Sequence, residues 1–374
     1  MNTPKKEKKL ENPFSRRNFL RLTGVAAAGL LVEGCKPKET TKYEEKAPSA
    51  GQPGKYQVAI GKVDSYDREA VDQAVMELIN RLGGLNDIVK PGSRVAIKPN
   101  LTGGVSSGEI PGYPAIESFI THPEVVRALI RMVQVAGATD ITIVEAVYEW
   151  ESYTAWGYEE IAKEMEVKLV DLNDFKPYDD FTDANVEGSF IYPSLKINKI
   201  LQDVDVFMSV SKMKNHYNAG VTHTMKNLYG LVPYRFYTLN KGDSYRSGFH
   251  GTPDQTRSRL PRVIIDVNRI RPIHFSLIDG IKSAEAGEGP WIQTFTPNQP
   301  GVLVAGKNPV ATDAVATAVM GHDPTANFPN EPFNRCDNHL NLAAAAGLGT
   351  NKLEEIEVLG VSIDKAKYQF TPAR

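Results

Sequence analysis

Apolar and polar positions along the chain follow two periods that alternate with one another. Residues 57–63 alternate and are rich in β-branched side chains, the pattern of a strand. Over residues 67–82, Val71, Val75, Leu78, Ile79 and Leu82 recur at helical spacing, and Gly83-Gly84 ends the helix. Residues 94–97 predict a strand closed by Lys98-Pro99-Asn100, where Pro99 cannot continue a central ladder. Thr121-His122-Pro123-Glu124 has the form of a capping box and predicts a helix to Ala136. Residues 141–144 predict a buried strand ending in Glu145. A weaker helix over 155–166 and a strand over 167–170 follow, and then an acidic, loop-like stretch over 174–189.

The second half repeats the rhythm. Residues 204–210 predict a buried strand, 259–270 an amphipathic helix, 275–278 a strand ending in Asp279-Gly280, and 302–304 another strand. Gly306-Lys307-Asn308-Pro309 starts a helix, with Pro309 in its first turn and Asp313 about one turn in, facing the same rim as the other strand ends. A helix over 340–348 and a strand over 356–359 close the chain. Strand–helix–strand order predicts an α/β fold, a mostly parallel Rossmann-like sheet flanked by helices, with length enough for two lobes.

The first 55 residues follow none of this. Ser15-Arg16-Arg17-Asn18-Phe19-Leu20-Arg21 has the pattern of a twin-arginine export signal, followed by a weakly apolar run over 23–32. At about ten residues that run is too short to span a bilayer and fits a signal peptide over 1–34. Val32-Glu33-Gly34-Cys35 resembles a lipobox that would place a lipid anchor on Cys35; Ala26-Ala27-Ala28 offers an ordinary cleavage site instead. Residues 35–55, rich in Lys, Glu, Pro, Ser and Gly, read as a flexible tether to the domain over 56–374. The expected location is extracytoplasmic, periplasmic or outer-surface.

Composition narrows the chemistry. A formal net charge of -2 argues against nucleic acid as a partner. Only two cysteines occur, Cys35 and Cys336, with no C-x-x-C, so neither an iron–sulfur cluster nor a Cys-ligated zinc is expected. The densest chemistry lies in Ser209–Gly230: Lys212, Lys214 and His216 at a strand's carboxyl end, then Gly220, and Thr222, His223, Lys226 and Asn227 on a predicted helix. In such a helix Thr222 and Lys226 share a face, as do His223 and Asn227. Lys98, Glu145, Asp279 and Asp313 also fall at predicted strand ends, where open α/β sheets bind ligands. A polar, aromatic stretch over 234–253, with Arg246 and His250, is a candidate lid.

These residues predict a site for a small anionic ligand, a carboxylate or phosphate, held by Lys98, Lys212 and Lys214. His216, with Lys226 and Lys214, would supply acid/base chemistry, and Glu145, Asp279 and Asp313 would orient bases or bind a divalent metal through oxygen ligands. Asn100, Thr222, Asn227 and His122 complete the ligand-binding set. A tethered solute-binding or accessory protein would use the same basic pocket without chemistry. A structural lipoprotein with plain surface lysines is the third reading.

Lys98-Pro99-Asn100, Thr121-His122-Pro123, the Ser211–His216 run with Val221-Thr222, Lys226-Asn227-Leu228-Tyr229-Gly230, Ile278-Asp279-Gly280 and the stretch from Gly306 to Val315 together resemble the domain-of-unknown-function 362 family. The resemblance covers roughly residues 56–322. It implies an α/β fold and leaves the activity open. The iron–sulfur module of some members is not implied here, because the cysteines are missing. A weaker similarity, a His before a Gly turn and a Lys-bearing helix, is to nickel-pincer lactate racemases. That likeness would give His216, His223 and Lys226 to a preloaded nucleotide cofactor.

Overall fold

The computed structural model describes residues 56–373. The expected export signal, Cys35 and the rest of the tether lie outside them. Among the described residues, no helix is long and apolar enough to cross a membrane.

Twelve strands are present among the described residues: β1 (Tyr56–Lys62), β2 (Arg94–Lys98), β3 (Asp140–Glu145), β4 (Lys168–Asp171), β5 (Phe181–Asn185), β6 (Ser194–Asn198), β7 (Val206–His216), β8 (Gly220–Val221), β9 (Phe275–Glu285), β10 (Thr296–Asn298), β11 (Val302–Gly306) and β12 (Ile356–Gly360). The main sheet runs β12-β1-β11-β9-β7-β2-β3-β4. Every neighbouring pair along it is parallel except the two made by β11. Helices flank this mostly parallel sheet, as the alternating periods predict.

Strand alternation divides the core into two layers. Val95 and Ile97 face one layer and Ala96 the other. Met208 and Val210 oppose Phe207, and Leu303 and Ala305 oppose Val302 and Val304. Each strand is therefore apolar on both faces, as a sheet covered on both sides requires. The helices Arg68–Arg81 and Pro123–Val135 cover one face. Thr256–Ile270, Pro309–Val319 and His339–Ala345 cover the other.

Several elements depart from the sequence reading. The acidic stretch holds β5, which pairs with β6 as a separate two-stranded sheet. The strand over 204–210 continues to His216, so Lys212 and Lys214 project from β7 itself rather than from a loop beyond it. Thr121 does not cap the following helix; its hydroxyl donates to Val210 O, and His122 Nδ1 accepts from Glu124 N in its place. The reversal of β11 matters most. A parallel neighbour needs a crossover of a dozen or more residues, usually helical. The connection over 286–301 holds no helix, only a loop, β10 and a turn; β11 returns antiparallel and Gly306 lies opposite Ser276, at the start of β9.

β2, β3 and β4 step outward on one side of β2, while β7 and then β9 occupy its other side. The β2–β7 boundary is thus a topological switch point, where the carboxyl ends of the strands diverge and leave a crevice.

Candidate functional site

A cavity of about 40 Å³ opens at this crevice. It is room for about three waters. Its wall brings together Lys98 and Asn100 after β2, Glu145 at the end of β3, Lys214 and His216 on β7, and Thr222, Lys226 and Asn227 on the turn and short helix that follow. Eight of the residues expected from sequence meet here. Lys212, His122, Asp279 and Asp313 do not line it.

The floor is a closed polar network. Lys98, fully buried, donates to Glu145 Oε2 at 2.7 Å, to Asn227 Oδ1 at 3.2 Å and to Pro99 O at 3.1 Å. Glu145 also accepts from Leu101 N and Ala146 N, both at 3.1 Å. Asn100 Nδ2 donates to Asn227 Oδ1, and Asn227 Nδ2 donates to Lys98 O and Ser209 Oγ. Burial pulls the Lys98 ammonium below the usual lysine range, and Glu145 opposes that pull. Gly230 seals the network from above. A Cβ there would meet Glu145 Oε1 at 2.2 Å and Lys98 Nζ at 3.0 Å, so the glycine lets the backbone lie against the ion pair.

Two more lysines are held by the scaffold. Lys214 donates to Phe119 O at 2.8 Å and Glu288 O at 2.9 Å. Lys212 donates to Asp279 Oδ2 at 2.9 Å, Tyr66 Oη at 2.8 Å and Ile116 O at 3.2 Å, and both partners of the ion pair are fully buried. Asp279 is saturated by protein donors: Tyr66 Oη and Ile281 N at Oδ1, and Lys212 Nζ and His122 N at Oδ2. The His122 ring stacks on Tyr66 at 3.7 Å, and burial first of all pushes its imidazole down to about 4. Lys98, Lys212 and Lys214 thus each have protein oxygens as acceptors, and His122 packs within the Lys212–Asp279 scaffold.

The expected metal pair separates. Because β11 is reversed, the helix Pro309–Val319 starts at the other end of the sheet. Its Asp313 accepts from Thr224 N and Met225 N at 2.9 Å each, and from the Thr224 hydroxyl, at the start of the helix His223–Asn227. With desolvation dominant, its carboxyl rises to about 7 despite those bonds. Asp279 and Asp313 thus serve different partners and do not fit a shared cation. No group of three or more His, Cys, Asp or Glu among the described residues is arranged to hold a metal ion. His223 is also removed from the site. It begins its helix with φ +42, its ring is fully buried, and it does not line the cavity. The set His216, His223 and Lys226 therefore does not converge, and it does not fit the cradle that the racemase likeness implies.

What remains open toward the cavity is different in kind. Lys226 is 6% exposed, and its Nζ has no hydrogen-bond acceptor among the described residues. It lies 4.1 Å from the centre of the Tyr229 ring. Desolvation brings its amine down to about 7, with Glu288 pulling the other way and Arg246 and Lys98 adding to the drop. Arg246 is 1% exposed. Its Nε donates to Val232 O at 2.6 Å, but its Nη2 has no partner. Its guanidinium lies 5.4 Å from the same Tyr229 ring, whose hydroxyl donates to Arg246 O. Thr222 Oγ1 and Asn100 Oδ1 are likewise buried without partners in this wall.

His216 completes the wall as a neutral ring. Its Nδ1 accepts from Asn218 N at 3.1 Å, which assigns the proton to Nε2. Burial, then the charges of Lys226, His250 and Lys214, hold it well below the usual histidine range. Glu288 Oε2 is 4.0 Å from Nδ1 and accepts from Tyr217 N.

Sequence reasoning placed Arg246 only in a lid-like stretch. It passed over Tyr148 entirely, although that residue stands three positions beyond the end of β3. The available signal was the basic and aromatic content of residues 234–253. The aromatic residue inside Lys226-Asn227-Leu228-Tyr229-Gly230 proves to be the platform for both cations.

Residues 95–318 match the family described as "Domain of unknown function (DUF362)". The chain is 27% identical over 269 residues to "Thylakoid-associated protein sll1697" of Synechocystis sp., covering 71% of this chain and 75% of that one. It is similar to the structure of the lactate racemase apoprotein from Thermoanaerobacterium thermosaccharolyticum, with 15% identity and a TM-score of 0.34, over 60% of this chain and 50% of that one. A crystal structure of a protein from Thermotoga maritima matches at 16% identity and a TM-score of 0.32, over 61% and 54%. The chain spans about half the length of these solved structures. The matched span, with its Lys98, Lys226 and Gly230 segments folded around one cavity, makes this chain a member of the DUF362 family.

Proposed function

We propose that the protein is an enzyme acting on a small anionic substrate, with Arg246 as the anchor for its carboxylate or phosphate and Lys226 as the acid/base group. One observation carries this reading. Lys226 and Arg246 are both buried and line the same cavity; among the described residues Arg246 Nη2 is buried without a partner and the Lys226 amine has no oxygen acceptor. Of the basic side chains in the lining, Lys98 and Lys214 are held by protein oxygens, which leaves Lys226 and Arg246 to meet a ligand. Burying unpaired positive charge is unfavourable by several kcal/mol per ion, and an anionic ligand would offset that cost. A guanidinium with a free edge suits the planar oxygens of a carboxylate or phosphate.

Burial lowers all four buried lysines, Lys214 well below the usual range. The choice of enzyme over passive binder therefore rests on their partners: Lys98, Lys212 and Lys214 are tied to protein oxygens, and Lys226 has no oxygen acceptor among the described residues. A binder gains most from a lysine held protonated for the ligand. Lys226 instead sits where it gains and loses a proton near neutrality, as acid/base catalysis requires. His216 adds a fixed Nε2–H donor, and Thr222 and Asn100 offer one unused oxygen each.

The test is thermal unfolding with acetate, lactate, pyruvate and inorganic phosphate, one at a time. At least one anion is expected to raise the melting temperature of the wild type, and Arg246→Gln is expected to weaken its binding about tenfold, the loss of one charged contact. If none of these anions stabilises the wild type, or Arg246→Gln responds as the wild type does, this assignment fails.

A further inference from the structure

Among the buried lysines of this rim, three are each held by at least two oxygen acceptors. Lys98 has Glu145, Asn227 and Pro99; Lys212 has Asp279, Tyr66 and Ile116; Lys214 has Phe119 and Glu288. Lys226 has none among the described residues. It rests on an aromatic ring with its amine directed at the cavity. An amine with no oxygen acceptor, in a cavity that a guanidinium also lines, is arranged as a nucleophile rather than as a permanent cation.

We infer that the substrate is a short-chain 2-oxo acid, whose carboxylate is received by Arg246 and whose carbonyl carbon is attacked by Lys226 Nζ to form an imine. This rests on the reading of the cavity as an anion site and adds the identity of the second reacting group. Arg246 and Lys226 lie against one ring, Tyr229, at 5.4 and 4.1 Å. A carboxylate and an adjacent carbonyl are likewise next to each other in a 2-oxo acid. The cavity volume of about 40 Å³ limits the enclosed part to a few heavy atoms, favouring two- and three-carbon acids.

The chemistry balances without an oxidant or reductant. The Nζ lone pair bonds to C2, and the C=O π pair moves to oxygen. Transfer of a proton from nitrogen to that oxygen gives the carbinolamine. The nitrogen lone pair then expels the hydroxyl, which leaves as water after taking up a proton, and a protonated imine remains. Hydrolysis of the imine reverses these steps and returns the 2-oxo acid and the free amine. The free amine that the first step needs is present near neutral pH, because desolvation holds Lys226 at about 7.

Incubation with glyoxylate or pyruvate and sodium cyanoborohydride, followed by intact mass and peptide mapping, tests the inference, with melting temperature measured in parallel. One reduced adduct on the peptide holding Lys226 is expected, absent in Lys226→Met and about tenfold lower in Arg246→Gln. Stabilisation by pyruvate with no adduct, or with adducts scattered over exposed lysines, overturns the imine and leaves the anion site standing. Neither stabilisation nor adduct overturns both.

Discussion

Replacing Asp279 by alanine is expected to destabilise the protein by about 3–5 kcal/mol, the range for stranding one partner of a buried ion pair. Lys212 and Asp279 are both fully buried, 2.9 Å apart. Removing the carboxylate leaves Lys212 facing only Tyr66 Oη and Ile116 O. It also takes the acceptor from His122 N and one acceptor from the Tyr66 hydroxyl. Lys212→Met in the same chain should recover much of the loss, because an apolar pair of similar volume no longer carries an unpaired charge. Urea unfolding of the two single variants and the double variant measures the coupling. A loss below about 1 kcal/mol in Asp279→Ala, within the range of a surface pair, would show that the carboxylate is not part of the scaffold.

The second large effect has the opposite sign. Lys226→Met is expected to stabilise the protein by about 1–4 kcal/mol below neutral pH, as replacement of buried charge by apolar side chains does, while abolishing the response to ligand. The pH dependence follows from the direction of the shift. The amine titrates at about 7 when folded and at roughly 10.4 when unfolded. Between those values the unfolded chain binds more protons, so wild-type stability rises with pH through this window on account of Lys226. The methionine variant lacks that rise. Its advantage is full below about pH 7 and fades toward pH 10. Unfolding of both proteins at about pH 6 and about pH 9.5 makes the comparison. An advantage that did not shrink with pH would place the effect in packing, not charge. A site that lowers the stability of its own fold is the usual signature of a functional constraint.

The fold was largely readable from the sequence because strands buried on both faces show as unbroken apolar runs and helices as a 3.6-residue period. The reading went wrong where the signal was topological. Residues 302–306 look like any other core strand, and the hint that β11 is reversed is that no helix precedes it after β9. That single reversal moved Asp313 away from the rim. The candidate site was legible as a set of positions, since Lys98, Glu145, Lys214, His216, Thr222, Lys226 and Asn227 do converge. Their roles were not legible. Sequence cannot tell a lysine tied to two carbonyls, such as Lys214, from one with no oxygen acceptor among the described residues, such as Lys226, because acceptors lie in distant segments, here Phe119 and Glu288 for Lys214. Arg246 was hidden for the same reason. Its stretch has no period, and its burial under Tyr229 and Val232 is a tertiary fact.

The account turns on one amine, Lys226, that burial brings down to about 7. Selective ¹⁵N labelling of lysine, with the Lys226 signal assigned by its loss in Lys226→Met, allows that amine to be titrated by NMR in the folded protein. A midpoint at about 7 is predicted. A midpoint in the ordinary lysine range, roughly 10.4, would mean that Lys226 is a paired cation, and the proposed chemistry at this cavity would not stand.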